Sequence, residues 1–231
     1  PIHTGASYHD EKELGPAFAK ATDGQGEEKG FTSRGEVFDK EEYKKLLNNS
    51  KVVGIGECGL DYYRCTPESI EKQKKSFIEQ IELANEFNLP LMLHIRNNQK
   101  QELITGKEGT PNAYMDALAI LKMHSKVKGD VHFFAGTPEE AKAFLDLGFM
   151  LSFTGVITFT DDYDEVIRNT PLDMIMSETD SPYVTPVPNR GKRNEPSYVR
   201  EVVKKIALVK NLREEEVAQA IIQNAKRVFD I

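Results

Sequence analysis

The sequence predicts an α/β fold, a parallel sheet whose strands alternate with helices, and three observations carry that reading. Short continuous apolar runs bounded by turn residues recur along the chain, as expected of strands buried on both faces. Between them lie longer stretches with apolar residues at helical spacing. Four of the runs close on a side chain able to hold a metal: Val52 to Gly56 on Glu57, Leu91 to Leu93 on His94, Asp130 to Val131 on His132, and Met174 to Met176 on Glu178-Thr179-Asp180. Parallel strands present their carboxyl ends on one rim, so these side chains can converge although roughly forty residues separate neighbours.

Each element has its own signals. Residues 1–37 are polar and punctuated by Gly5, Gly15, Gly24, Gly26, Gly30 and Gly35, and they read as a long surface loop within one domain spanning 1–231. An amphipathic helix from Phe38 to Leu47 precedes the strand Val52 to Gly56. Thr66-Pro67-Glu68 supplies a cap, a first-position proline and an acid in the first turn, and the helix it starts runs to Phe87 with Ile70, Phe77, Ile81 and Ala84 near helical spacing. The strand Leu89 to Ile95 leads into a polar connection from Asn97 to Asn112, longer than most βα loops. On a rim that connection would border a site, although a tolerated surface insertion is an equal alternative.

The helix Ala113 to His124, the strand Val131 to Phe134 and the helix Pro138 to Leu147 continue the alternation. The last of these opens on Thr137-Pro138-Glu139-Glu140 and stops at Leu147-Gly148. A strand Met150 to Thr154, a short helix near Asp162 to Arg168, a strand Met174 to Glu178, and closing helices at about Pro196 to Val209 and Glu214 to Val228 complete the chain. Five strands alternating with helices point to a parallel sheet.

Composition narrows the functions. A chain of 231 residues buries a sizeable core, and nothing forces it into two domains. With 30 Lys+Arg against 37 Asp+Glu the net charge is −7, so there is no global attraction to a polyanion and any nucleic-acid contact must be local. Two cysteines, Cys58 and Cys65, are too few for a disulfide framework, and a reduced, cytoplasmic setting fits them best. No run approaches the ~20 apolar residues that span a bilayer, so no membrane role is expected. The absence of a Gly-x-x-x-x-Gly-Lys loop and of a Gly-x-Ser-x-Gly elbow removes two large hydrolase classes.

The candidate chemistry sits at the strand ends. Glu57 lies in Gly54-Ile55-Gly56-Glu57-Cys58-Gly59, where a carboxylate beside a buried strand is costly unless it is ion-paired or metal-bound. In Leu91-Met92-Leu93-His94-Ile95-Arg96, alternation sends His94 and Arg96 to one face of an otherwise apolar strand. A satisfied core histidine is the usual fate of such a residue, but His132 repeats the arrangement one unit later and raises the odds for both. Neutral imidazole suits zinc, manganese, nickel or iron. Asp180, before Ser181-Pro182-Tyr183, is a metal ligand, a general base or an acidic turn residue, and Glu178 on the same strand face could partner a ligand instead. Arg64, Arg96 and the run Arg190, Lys192, Arg193 suit an anionic substrate, and Tyr62, Tyr63 and Tyr183 offer faces for a base.

Five ordered segments, Gly54-Ile55-Gly56-Glu57-Cys58-Gly59-Leu60-Asp61, Leu93-His94-Ile95-Arg96, His132-Phe133-Phe134-Ala135-Gly136, Glu178-Thr179-Asp180-Ser181-Pro182-Tyr183 and Arg193-Asn194-Glu195-Pro196, resemble the TatD family of metal-dependent deoxyribonucleases. The resemblance implies a TIM-type (β/α) barrel, two divalent metal ions (Mg, Mn or Zn), and metal-activated attack of water on the phosphodiester bonds of DNA, as an exonuclease. It implies that Glu57 bridges the metals, that His94 and His132 hold one, and that Asp180 holds the other and assists the water. Glu57 and Asp180 are then the catalytic pair, and Arg64, Arg96, Arg193 and Tyr183 bind substrate. The family's His-x-His-x-Asp motif, a source of two further ligands, does not occur here, and the chain carries about five of eight barrel strands. The expectation drawn from this is a fragment of a longer product, ahead of strands supplied by another chain or a surrendered metal position. Two other functions remain open: an amidohydrolase-like enzyme acting on a small ester or amide, and a non-catalytic remnant that binds metal or nucleic acid.

Overall fold

A computed structural model describes residues 38–63, 65–97 and 111–231. The expected loop region 1–37, the candidate Arg64 and most of the polar connection after Asn97 lie outside the described residues. Five strands, β1 (Ile55–Asp61), β2 (Leu91–Arg96), β3 (Gly129–His132), β4 (Met150–Phe153) and β5 (Ile175–Ser177), form one sheet in sequence order, with every neighbouring pair parallel. Helices α1 (Lys40–Leu47), α2 (Pro67–Phe87), α3 (Ala113–His124), α4 (Pro138–Asp146), α5 (Asp164–Asn169), α6 (Val199–Lys210) and α7 (Glu214–Phe229) alternate with the strands or close the chain.

The predicted caps are in place. Thr66 and Ser69 form a reciprocal capping box at the start of α2, with Pro67 in its first turn, and Thr137 with Glu140 does the same for α4. Each box satisfies N–H groups at the helix start that have no partner within the helix. Asp39 caps α1 by accepting from the Glu41 and Glu42 N–H groups. At the other end of α4, Gly148 takes φ 81°, a left-handed conformation that glycine adopts at low cost.

Alternation and register divide the sheet into two faces. Ile55 pairs with Leu91, Cys58 with Leu93 and Leu60 with Ile95, and all six are buried against α2, α3 and the core. Val131, Leu151 and Ile175 extend this helix-covered face across β3, β4 and β5, each fully buried. The opposite face carries Asp61 paired with Arg96, Gly59 with His94, His94 with His132 and Met92 with Asp130. Only this second face bears ionisable side chains other than Cys58.

Several expected boundaries shift, three of them beside the candidate site. The first strand does not end at Gly56: it runs through Glu57 to Asp61, the Gly56–Glu57 peptide bond is cis, and pairing with β2 shifts register between Ile55 and Cys58. The apolar run stops at Gly56 because Glu57, Gly59 and Asp61 alternate onto the polar face, whereas Cys58 and Leu60 continue the buried one. In the third run, β3 begins and ends two residues before the expected Val131 to Phe134, with Phe133 at φ 46° just past its end. At β5, only Ile175–Ser177 pair, so Glu178 and Asp180 lie on the loop beyond.

Candidate metal centre

The site grows from three adjacent strands. In register, His94 of β2 stands beside Gly59 on one flank and His132 of β3 on the other, with 6.1 Å between the two ring centroids. The close approach of β1 needs glycine there: Gly59 has φ 140°, and a Cβ on it would lie 2.2 Å from the His94 carbonyl oxygen. Glu57 reaches the same face from inside β1. One ligand atom from each of Glu57, His94 and His132 lies within 4.8 Å of the other two. Glu57 Oε2 is 3.7 Å from His94 Nδ1, and Oε1 is 4.0 Å from His132 Nε2.

Each histidine is oriented by its own carboxylate. His132 Nδ1 meets Glu178 Oε2 at 2.5 Å, and the other Glu178 oxygen accepts the Phe133 backbone N–H at 2.7 Å. On the far side His94 Nε2 is 3.3 Å from Asp61 Oδ2. A carboxylate on one ring nitrogen fixes the orientation of the ring and leaves the other nitrogen for the centre. Thus Nε2 of His132 and Nδ1 of His94 both turn toward Glu57. Neutral imidazole paired with a carboxylate donor is the donor chemistry that divalent transition metals and zinc take, so the residues present fit such an ion.

The charges are strongly coupled. Burial opposes a proton on His132, but the Glu178 hydrogen bond and the charges of Glu178, Glu57 and Asp180 raise its pKa to about 9. For Glu178, burial works against ionisation, and its contact with His132 holds the carboxyl below the ordinary range. Asp61 behaves likewise: burial resists, and His94 with the Tyr63 backbone N–H lowers it. Burial pushes Asp180 up to about 6, with the His132 charge opposing and those of Glu178 and Glu57 adding. Asp130, buried two residues before His132 on the same face, is pushed well above the carboxylate range by burial and by the Glu178 charge.

Among the sequence candidates, Glu57, His94 and His132 come together. Asp180 stands just outside that trio, with Oδ1 3.9 Å from His132 Nε2 and its backbone at φ 52°. The Arg96 guanidinium lies over the Tyr63 ring, 4.0 Å from the centroid, at the carboxyl end of β2. Tyr183 is half-buried on the loop after β5, and Arg193 is exposed on it. Asp61 was quoted in the motif and given no role in the sequence reading. The signal for it was period two from Glu57 through Gly59, hidden because glycine interrupts the apolar pattern. Asn194 was also passed over: its buried amide donates to the carbonyls of Thr179 and Tyr183 and pins the Asp180 loop. No sequence periodicity marks a loop residue of this kind.

Comparison with known proteins agrees with this chemistry. A family model described as TatD related DNase matches residues 19–230. Among relatives, YcfH of Escherichia coli K12, named an uncharacterized metal-dependent hydrolase, is 38% identical over 203 residues, covering 86% of this chain and 71% of that protein. YabD of Bacillus subtilis, with the same description, is 42% identical over 193 residues, covering 81% and 69%. Among solved structures, the TatD homolog YJJV of Escherichia coli K12 superposes with a TM-score of 0.69 at 27% identity, over 83% of this chain and 70% of that one. Among the described residues no helix is long and apolar enough to cross a membrane.

Proposed function

The chain belongs to the TatD family of metal-dependent hydrolases, and from that premise we propose that it hydrolyses phosphodiester bonds in DNA. The observation that carries the proposal is the convergence of Glu57, His94 and His132, each histidine aimed by a carboxylate of its own. These three residues would hold one divalent cation, Mg, Mn or Zn, and Glu57 with Asp180 would serve a second position. When bound, the cation lowers the pKa of a coordinated water to near neutrality and offsets charge that develops on the phosphate.

The chain's own groups supply the rest. Asp180, whose carboxyl burial pushes above the ordinary carboxylate range, would accept the proton of the attacking water. Glu178 and Asp61 hold the His132 and His94 rings so that Nε2 and Nδ1 face Glu57. Arg96, braced on Tyr63, and Arg193 would grip neighbouring phosphates, since guanidinium matches the planar spread of phosphate oxygens. Tyr183 offers a face to a base. Exonucleolytic cleavage, from a strand end, is the mode expected.

The test is Glu57→Ala on the purified chain, followed by cleavage of labelled DNA with and without added divalent metal. Metal-stimulated cleavage is expected to fall to background while the circular dichroism spectrum and the melting temperature stay close to wild type. Wild-type cleavage by the variant refutes the assignment, and activity on small esters without activity on DNA replaces the substrate.

A further inference from the structure

The loops after β4 and β5 meet on the same rim as the metal centre and build a fixed cationic edge. After β4 a 3-10 turn, Gly155–Thr158, ends at Phe159, which is 41% exposed. The loop that follows Asp180 carries Arg190, Lys192 and Arg193, all exposed, in a chain whose net charge is −7. The Arg190 guanidinium lies over the Phe159 ring with Cζ 3.9 Å from the centroid, and its Nη1 donates to the Thr185 carbonyl at 2.9 Å.

The two loops are stapled beneath that stack. The Val187 N–H donates to Thr158 Oγ1 at 2.9 Å, the Thr185 hydroxyl donates to the Lys192 carbonyl at 2.5 Å, and the Asn194 amide donates to the Thr179 and Tyr183 carbonyls. Two acids near the edge are engaged by Lys205, whose Nζ lies 2.7 Å from Asp161 and 3.0 Å from Asp164. An arginine held by a ring and a carbonyl has given up its rotamer freedom before any ligand arrives, so its donors bind a phosphate at lower entropic cost. An exposed aromatic ring stacks on unpaired bases and finds none on the outside of a duplex.

We propose that the Phe159–Arg190 stack, with Lys192 and Arg193, is a docking edge for single-stranded polynucleotide, binding the nucleotides beyond the scissile bond. Its role is to hold the polymer while the metal centre acts at one linkage. The inference rests on the phosphodiesterase reading of that centre and extends it to strandedness and to the location of the second contact.

Steady-state cleavage of a fluorescent single-stranded oligothymidylate and of bis(p-nitrophenyl) phosphate, with the same divalent cation, tests it in wild type, Arg190→Ala and Phe159→Leu. Arg190→Ala is expected to raise the ratio of the oligonucleotide KM to the small-diester KM on the order of tenfold, as for loss of a hydrogen bond to a charged group, with the oligonucleotide kcat retained. Phe159→Leu raises the same ratio by less. The dependence of log KM on log salt flattens by about 0.7 in Arg190→Ala, the loss of one phosphate contact to a single strand. An unchanged ratio and slope in Arg190→Ala, with wild type cleaving both substrates, overturns the docking edge and leaves the phosphodiesterase reading standing. Wild type that cleaves neither substrate takes down both.

Discussion

One face of the sheet presents Leu60, Leu91, Leu93, Val131, Leu151 and Ile175, each 0% exposed, while the other presents Glu57, Asp61, His94, Asp130, His132 and, just past β5, Glu178. The two sets come from the same strands and often from adjacent residues, so a single backbone separates a dry packing surface from a charged one. On the helix-covered face the side chains answer to volume and transfer free energy. On the opposite face they answer to one another's charge: against its burial His132 is raised to about 9 by its acidic neighbours, and Asp180 is pushed up to about 6 by burial with the Glu178 and Glu57 charges adding. The division implies that stability and chemistry can be perturbed separately, one residue apart.

The largest expected effect lies on the packed face. Leu93→Ala removes a fully buried side chain beside Cys58 and Val131, and it should cost about 2–5 kcal/mol in urea-induced unfolding. The neighbouring ligand His94 points the other way, so the fraction that remains folded should bind divalent metal as wild type does. A parallel loss of metal affinity per folded molecule would dissolve the distinction between the faces.

That division was legible in the sequence for the packed face and half legible for the charged one. Continuous apolar runs located all five strands, and the cap sequences at Thr66-Pro67 and Thr137-Pro138 located two helix starts, because both signals are local and strong. The strand-end positions of His94 and His132 were also readable, since period two places them with Arg96 and Asp130 on one face. Reading failed where glycine broke the pattern. Gly56 and Gly59 contribute no side chain to either face, so the expected strand stops at Gly56, five residues early, and Asp61 goes unread as the partner of His94. Pairing of His132 with Glu178 spans 46 residues and depends on β3, β4 and β5 lying side by side in register, a tertiary fact that no local pattern encodes.

A smaller effect is expected among the carboxylates behind the ligands. Glu178→Gln keeps the shape but removes the charge that orients His132, and divalent metal affinity measured by calorimetric titration should fall about 10–100-fold. An affinity within twofold of wild type would reduce Glu178 to a structural partner. The smallest effect separates the two cysteines. Cys58 is buried on the packed face, and burial pushes its thiol up to about 12, whereas Cys65 is half-buried with its Sγ at the Asp61 carbonyl and the Gln73 amide. Iodoacetamide followed by peptide mass analysis should find Cys65 labelled and Cys58 untouched in the folded chain, with Cys58 reacting only after denaturation. Equal labelling of both would show that the packed face opens in the native state.

The central claim is that the charged face holds a divalent cation between Glu57, His94 and His132. Crystals of the chain grown with Mn²⁺, measured for anomalous scattering near the manganese edge, test it most directly. The expected result is an anomalous peak within bonding distance of the Glu57 carboxylate, His94 Nδ1 and His132 Nε2, lost in crystals of His94→Ala. A well-ordered site with no peak between these three side chains, or a peak that survives His94→Ala unchanged, contradicts the account.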